Sequence, residues 1–266
     1  MLLHSILSLT VCTLAVAQSI PIAAVDYTPT FATCPKGFSL VRPAGSSPTD
    51  QCLSSGEKSY IHNRRSKVLP NAWKSYLSNV KATNITLPSY VSSILHGHHY
   101  KSQPNLGIAV SGGGLRATTF GAGVLNVLDA RNQTSVRTGT GGLLQATTYL
   151  AGLSGGSWLV TSLAQANFPT IQDLVFGSSD PSGYAGWLTQ FDVLAPGTSL
   201  AQDLTYIESL LAEIVGKHAA GFPVTITDIF ARGLSRHFLN GTTEGDIFNT
   251  SFAHGAGITF SGIVKQ

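Results

Sequence analysis

The chain has 266 residues, 43% of them hydrophobic and only 11% charged, with a formal net charge of +3 at pH 7. That apolar fraction excludes wholesale disorder and supports a sizeable core. So small and dispersed a positive charge argues against a nucleic-acid partner, and it leaves solubility to Ser, Thr, Asn, Gly and attached groups.

The first residues, MLLHSILSLTVCTLAVAQS, show a short n-region, an apolar stretch from about Ile6 to Val16, and small residues at Ala15 and Ala17. This is the layout of a secretory signal cleaved after Ala17, although the n-region has no Lys or Arg. The apolar run is shorter than the roughly 20 residues of a membrane span. The mature chain is therefore expected to begin near Gln18 and to be secreted, into the medium or the cell wall. Cys12 leaves with the signal. Cys34 and Cys52 remain, and in an oxidising compartment they are expected to form a disulfide. Four sequons begin at Asn84, Asn132, Asn240 and Asn249, and glycans there would supply surface polarity.

From Gln18 to Gly56 the chain is rich in Pro, Ser and Thr, which predicts an extended arm closed by the disulfide. Helical patterns follow from Glu57 to about Ser92. NAWKSYLSNV places Trp73, Tyr76, Leu77 and Val80 on one helix face. HNRRSK, His62 to Lys67, is the one basic knot and is expected to be a solvated surface. HGHH, His96 to His99, has neither a ligand spacing nor a nearby carboxylate, so a polar loop is expected rather than a metal site.

LGIAV, Leu106 to Val110, predicts a buried strand. SGGGLRATTFGAGVLNVLDARN then predicts a glycine turn and a helix with Leu115, Phe120, Val124, Leu125 and Leu128 broadly on one side. Gly121 and Gly123 weaken that helix unless another backbone packs closely there. LLQATTYLAG predicts a second strand, and LSGGSWLVTSLAQANF a turn and helix ending before Pro169. Strand, glycine turn and helix thus occur twice, which argues for an α/β layer with parallel strands and a site at their carboxyl ends.

Gly152-Leu153-Ser154-Gly155-Gly156 fits G-x-S-x-G, in which a serine on a strained turn is lifted to a helix N-terminus. In a glycine-rich chain that pattern alone is weak. Gly112-Gly113-Gly114 strengthens it, because acyl transfer through serine needs backbone N–H groups aimed at the developing oxyanion. A nucleotide-binding loop is the rival. SGGGLR lacks the Lys-Ser/Thr ending of a P-loop, and no Asp or Glu lies between Asp129 and Asp173 to bind a ribose. Arg116 on the first helical turn opposes the helix dipole and calls for an anion, either a structural carboxylate or a substrate phosphate.

SGGGLRATTFGAGVL together with YLAGLSGGSWLV resembles the fungal secreted phospholipase B (lysophospholipase) family, whose catalytic domain is similar to that of cytosolic phospholipases A. The similarity extends from about Cys34 to the end of the chain. It implies an α/β fold with a mixed central sheet between helices, like patatin and the cytosolic phospholipases. It implies hydrolysis of phospholipid and lysophospholipid acyl esters at a membrane or micelle surface, without cofactor or metal. By resemblance Ser154 is the nucleophile, Gly113 and Gly114 form the oxyanion hole, and Arg116 engages the head-group phosphate.

The family's general base is an aspartate in a D-G-G or D-G-x segment downstream of the nucleophile. Asp173, Asp180, Asp192, Asp203, Asp228 and Asp246 follow Ser154, and none precedes a glycine. Residues 57–266 are therefore expected to be an N-terminal part of the catalytic domain, with the base outside them. A catalytically inactive lipid-binding glycoprotein is the alternative. A Ser–His–Asp arrangement using His218, His237 or His254 is a weaker one. Short amphipathic pieces at Phe168–Gly177 and Gly186–Gly197 suggest core packing for most of their aromatics, with a lid or interfacial surface the lesser reading, and Trp158 suggests helix packing.

Overall fold

The computed structural model describes residues 28–34, 36–37, 53–96, 103–179, 185–239 and 247–248. The expected signal segment, Cys52, residues 97–99 of the histidine run and the sequons at Asn240 and Asn249 lie outside these. Cys34 is exposed. The chain divides into two compact units; of the described residues, 28–31, 188–237 and 247–248 belong to the smaller and the rest to the larger.

The larger unit begins with helix α1 (Ser55–Asn63), a π-helical turn (Arg64–Val68) and helix α2 (Leu69–Ala82). Ser54 starts α1 by accepting a hydrogen bond from the Glu57 N–H, the usual N-cap role of serine. On α2, Trp73 and Leu77 are buried as their spacing predicts, in a cluster with Leu69, Val91 and Ala146 and with Tyr76 partly buried beside them. The basic knot is only partly a solvated surface. Arg64 turns inward, and its guanidinium donates 2.8 Å to Gln145 O and also to Thr147 O, while Tyr60 donates its hydroxyl to Thr148 O. These bonds satisfy carbonyls at the start of a strand that have no helix ladder of their own. Helix α3 (Val91–His96) follows, so His96 ends a helix and does not sit in a loop.

Strand β1 (Leu106–Val110) and strand β2 (Thr147–Gly152) pair in parallel, with Val110 opposite Gly152. Among the described residues the sheet has these two strands. The expectation that β1 is fully buried is corrected: it alternates between half-buried and exposed positions. Leu106 packs against the Trp73 cluster and Val110 lies under α4, whereas Gly107 and Ala109 are exposed.

Helix α4 (Gly114–Leu128) follows β1, and helix α6 (Gly155–Gln165) follows β2; between them lies the short helix α5 (Gln133–Arg137). The inward face of α4 matches the predicted one only at Leu125. Thr118, Gly121, Ala122 and Leu125 are buried, while Leu115, Phe120 and Val124 are exposed, Phe120 by 74%. The reason is a close approach: a Cβ on Gly121 would lie 2.7 Å from Val110 Cγ1 and 3.0 Å from Leu159 Cδ2. Only the small-residue face of α4 fits so near β1 and α6. Gly123 has open space around it and packs against nothing.

Past α4, Asp129 is buried and accepts hydrogen bonds from the Arg131 guanidinium and from Gln145. Burial raises its carboxyl, but the bonds from Arg131 and Gln145 outweigh this and hold it below the ordinary aspartate range. Helix α7 (Ile171–Phe176) follows in the same unit. Ser162 of α6 is buried, accepts from Trp187 Nε1 at 2.8 Å and donates to Phe238 O at 2.6 Å. Trp187 is therefore a core residue, and Trp158 packs on Phe238, whereas Phe168 and Phe176 remain exposed.

The smaller unit is built on helix α8 (Leu200–Ala219) and most of helix α9 (Ile226–Phe238). Tyr206, Leu210 and Ile214 repeat every fourth residue of α8 and are buried. Tyr206 and Leu210 form a core with Leu188 and Ile247. Arg236 is buried, pairs with Glu213, donates 2.8 Å to Ile247 O and lies over the Tyr206 ring. Burial pushes the Tyr206 phenol up to about 12.

Candidate active site

The pairing of β2 with β1 runs one residue past the strand, since the Leu153 N–H donates 3.0 Å to Val110 O. The chain then reverses at Ser154, whose φ of 51° and ψ of −121° lie outside the wells that L-residues favour. Helix α6 begins at the next residue, and the Ser154 carbonyl accepts from Ser157 N and Trp158 N at 2.8 and 3.2 Å. The flanking glycines are steric requirements. A Cβ on Gly152 would lie 2.7 Å from Ser157 N, and one on Gly156 would lie 2.7 Å from Ser111 O. Ser154 itself is exposed, so its hydroxyl is open to a substrate.

The glycine run passes directly beside this turn. A Cβ on Gly112 would lie 3.1 Å from Ser154 Cβ and 3.7 Å from its Oγ. Gly113, at φ 138°, caps α4, and Gly114, at φ 64°, is its first residue. A Cβ on Gly155 would meet Gly114 N at 2.8 Å, so the starts of α4 and α6 touch. Gly114 and Gly155 each open a helix, and their N–H groups have no intrahelical acceptor. No backbone bond outside the helices and strands takes up the N–H of Gly113, Gly114 or Gly155 among the described residues. Unpaired amides at two helix N-termini beside one serine hydroxyl are the elements of an oxyanion site.

The Lysophospholipase catalytic domain family matches residues 106–255, a span that holds both glycine motifs. The chain belongs to this family. It is 37% identical over 237 residues to the Lysophospholipase of Penicillium chrysogenum, covering 86% of this chain and 36% of that protein. It is 36% identical over 239 residues to Lysophospholipase 1 of Aspergillus fumigatus, covering 88% and 36%. With Probable lysophospholipase 3 of Schizosaccharomyces pombe it shares 37% over 242 residues, covering 91% and 31%. The chain thus spans about a third of the length of these curated relatives. No solved structure matches it.

In this member of the lysophospholipase family the residues around the serine are arranged without a bonded base. Among the described residues, Ser154 Oγ has no hydrogen-bond partner. The described aspartates after it serve local turns and caps. Asp173 bonds Thr170, Asp192 accepts from Leu194 N and Ala195 N, Asp203 accepts from Gly197 N, and Asp228 pairs with Lys217. Asp180, Asp246 and His254 lie outside the described residues. His218 is exposed, whereas His237 is buried with Nδ1 bonded to Gly233 O at 2.7 Å.

Arg116 is exposed on the first turn of α4 and, among the described residues, pairs with no carboxylate. The structural-carboxylate alternative raised by the sequence therefore has no support there. Among the described residues no cluster of His, Cys, Asp or Glu could hold a metal, and no helix is long and apolar enough to cross a membrane. Asn84 is exposed at the end of α2. Asn132 is half-buried and caps α5, its Oδ1 accepting from Thr134 N and Ser135 N. One feature of the site was missed in the sequence: buried Thr118 beneath both turns.

Proposed function

We propose that this chain supplies the nucleophile and oxyanion hole of a secreted serine hydrolase that cleaves acyl esters of lysophospholipids and phospholipids. The observation that carries this is the positive-φ turn at Ser154, with its hydroxyl beside the unpaired amides of the glycine run. Ser154 Oγ attacks the acyl carbonyl carbon, and the N–H groups of Gly113 and Gly114 receive the charge that moves to oxygen. The Oγ proton passes to a general base and then to the departing glycerol oxygen as the ester C–O bond breaks. Water hydrolyses the acyl-serine by the same route in reverse. The base is an aspartate of a Ser–Asp dyad, and the exposed Arg116 guanidinium binds the head-group phosphate. The relatives named lysophospholipase, and the repeated strand, glycine turn and helix, support this assignment. A Cys34–Cys52 disulfide and glycans on the sequons belong to the same proposal.

The test is covalent labelling of the full chain by an alkyl fluorophosphonate, together with fatty-acid release from lysophosphatidylcholine. Labelling at Ser154 that disappears in Ser154→Ala supports the nucleophile. A folded chain that never labels overturns it. The second reading, an inactive lipid-binding glycoprotein, is favoured by the unpartnered Ser154 Oγ. Co-sedimentation with phosphatidylcholine vesicles, with neither labelling nor release, would establish that reading instead.

A further inference from the structure

Thr118 is fully buried on the inward face of α4. Its Oγ1 lies 2.7 Å from Gly155 O and 3.1 Å from Gly114 O. The contact to Gly114, four residues back in the same helix, is one that threonines commonly make. The contact to Gly155, 37 positions along the chain, is not a product of helix formation. One hydroxyl proton serves both carbonyls, and the shorter distance marks Gly155 as its main acceptor. Gly114 and Gly155 are the first residues of α4 and α6, and their N–H groups are candidate donors to the oxyanion.

Van der Waals contact already brings Gly155 against the Gly114 backbone. Contact limits approach, and the strand pairing up to Leu153 sets the coarse register, but neither is directional at the two helix starts themselves. A directional hydrogen bond fixes that register. Its inward neighbours Ala122 and Leu125 are apolar, and valine matches threonine in volume but not in the hydroxyl, so the change to valine removes the bond while leaving the packing.

We propose that Thr118 is a positioning residue, whose hydroxyl holds the oxyanion-hole glycines of α4 in register with the nucleophile turn of α6. It touches no substrate and acts through Gly114 and Gly155. The inference rests on the serine-hydrolase assignment above.

Thr118→Val and Thr118→Ser are made in the full chain. The rate of Ser154 phosphonylation by an alkyl fluorophosphonate is then measured, with thermal midpoint and near-UV circular dichroism as controls for fold. The phosphonyl oxygen occupies the oxyanion position, so the rate reads donor alignment. Valine is expected to lower the maximal rate by about 10- to 100-fold with little change in reagent affinity, and serine to restore it. Wild-type rates in Thr118→Val, or a Thr118→Ser variant as slow as valine, would overturn the proposal. Should Thr118→Val fail to fold, Thr118→Ala replaces it, since it removes atoms and cannot overpack.

A wild-type chain that does not label defeats the serine-hydrolase assignment but leaves the positioning role decidable by amide hydrogen exchange. Valine is then expected to speed exchange at Leu153, Ser157 and Trp158, whose N–H groups are bonded at the nucleophile turn, about 10-fold relative to Leu125 and Leu163, with serine close to wild type. Unchanged exchange at those three amides overturns the positioning role.

Discussion

Replacing Ser154 by glycine is expected to stabilise the protein while removing the proposed nucleophile. The serine holds φ 51° and ψ −121°, and a non-glycine residue in so sparse a region costs on the order of 1–3 kcal/mol. Glycine adopts these angles without a Cβ penalty. Against this, glycine's extra freedom in the unfolded chain costs about 0.4–1 kcal/mol. Alanine keeps the Cβ and therefore the strain. The Ser154 side chain makes no capping bond and the residue is exposed, so alanine also loses little by truncation. Ser154→Gly should then exceed Ser154→Ala in stability by about 1 kcal/mol, which for a chain of this size is roughly 2–4 °C in Tm. Urea denaturation of the two variants with matched slopes is the assay. Finding Ser154→Gly no more stable than Ser154→Ala would refute the strained turn on which the site is built.

Gly156→Ala places a methyl 2.7 Å from Ser111 O, where only the end of β1 could yield; a loss of about 2–3 kcal/mol and of fluorophosphonate labelling is expected from denaturation and labelling together. Arg116→Ala should raise KM for lysophosphatidylcholine about 10-fold and leave p-nitrophenyl butyrate hydrolysis unchanged; equal effects on both esters would remove the phosphate role. Burial lowers the His237 pKa below its ordinary 6.5, outweighing the bond to Gly233 O and the carboxylate of Asp192, while Arg236 adds to the lowering. The unfolded chain then takes up the proton first as pH falls, so stability is complete above pH 6.5 and declines through the folded value. Denaturation midpoints of wild type and His237→Gln across that window should differ in slope. Asn132→Ala removes the bonds to Thr134 N and Ser135 N and should cost about 1 kcal/mol, measured on protein produced in a host without N-glycosylation so that a glycan does not contribute.

Part of the site was legible because its chemistry restricts the residues allowed. Glycines flank Ser154 where a Cβ would strike backbone, and a second glycine run is needed where amides must approach a hydroxyl. Such restrictions appear in a sequence as spaced glycines. The α2 face was legible for a related reason, since Trp73, Tyr76 and Leu77 are large and their spacing has one helical solution. The face of α4 was not, because its contact is made by small residues. An apolar count favours Phe120 and Val124, but Gly121 sets the distance to Val110 and Leu159 and turns the large side chains outward. Arg64 was misjudged similarly, since nothing in a basic run announces that one guanidinium will serve strand carbonyls more than 80 positions away.

The amino-acid sequence by itself determined the order of strand, glycine turn and helix, the parallel sense of the two strands, and the serine on which the chemistry is proposed to turn. Those follow from local rules: apolar runs, backbone freedom at glycine, and helix starts that expose N–H groups. Only the tertiary structure decided which amides meet which hydroxyl and which face of α4 is buried. It also decided that Thr118 bonds across to Gly155. These depend on the separation of two helix starts, set by packing between residues far apart in the chain, and no local pattern encodes that distance.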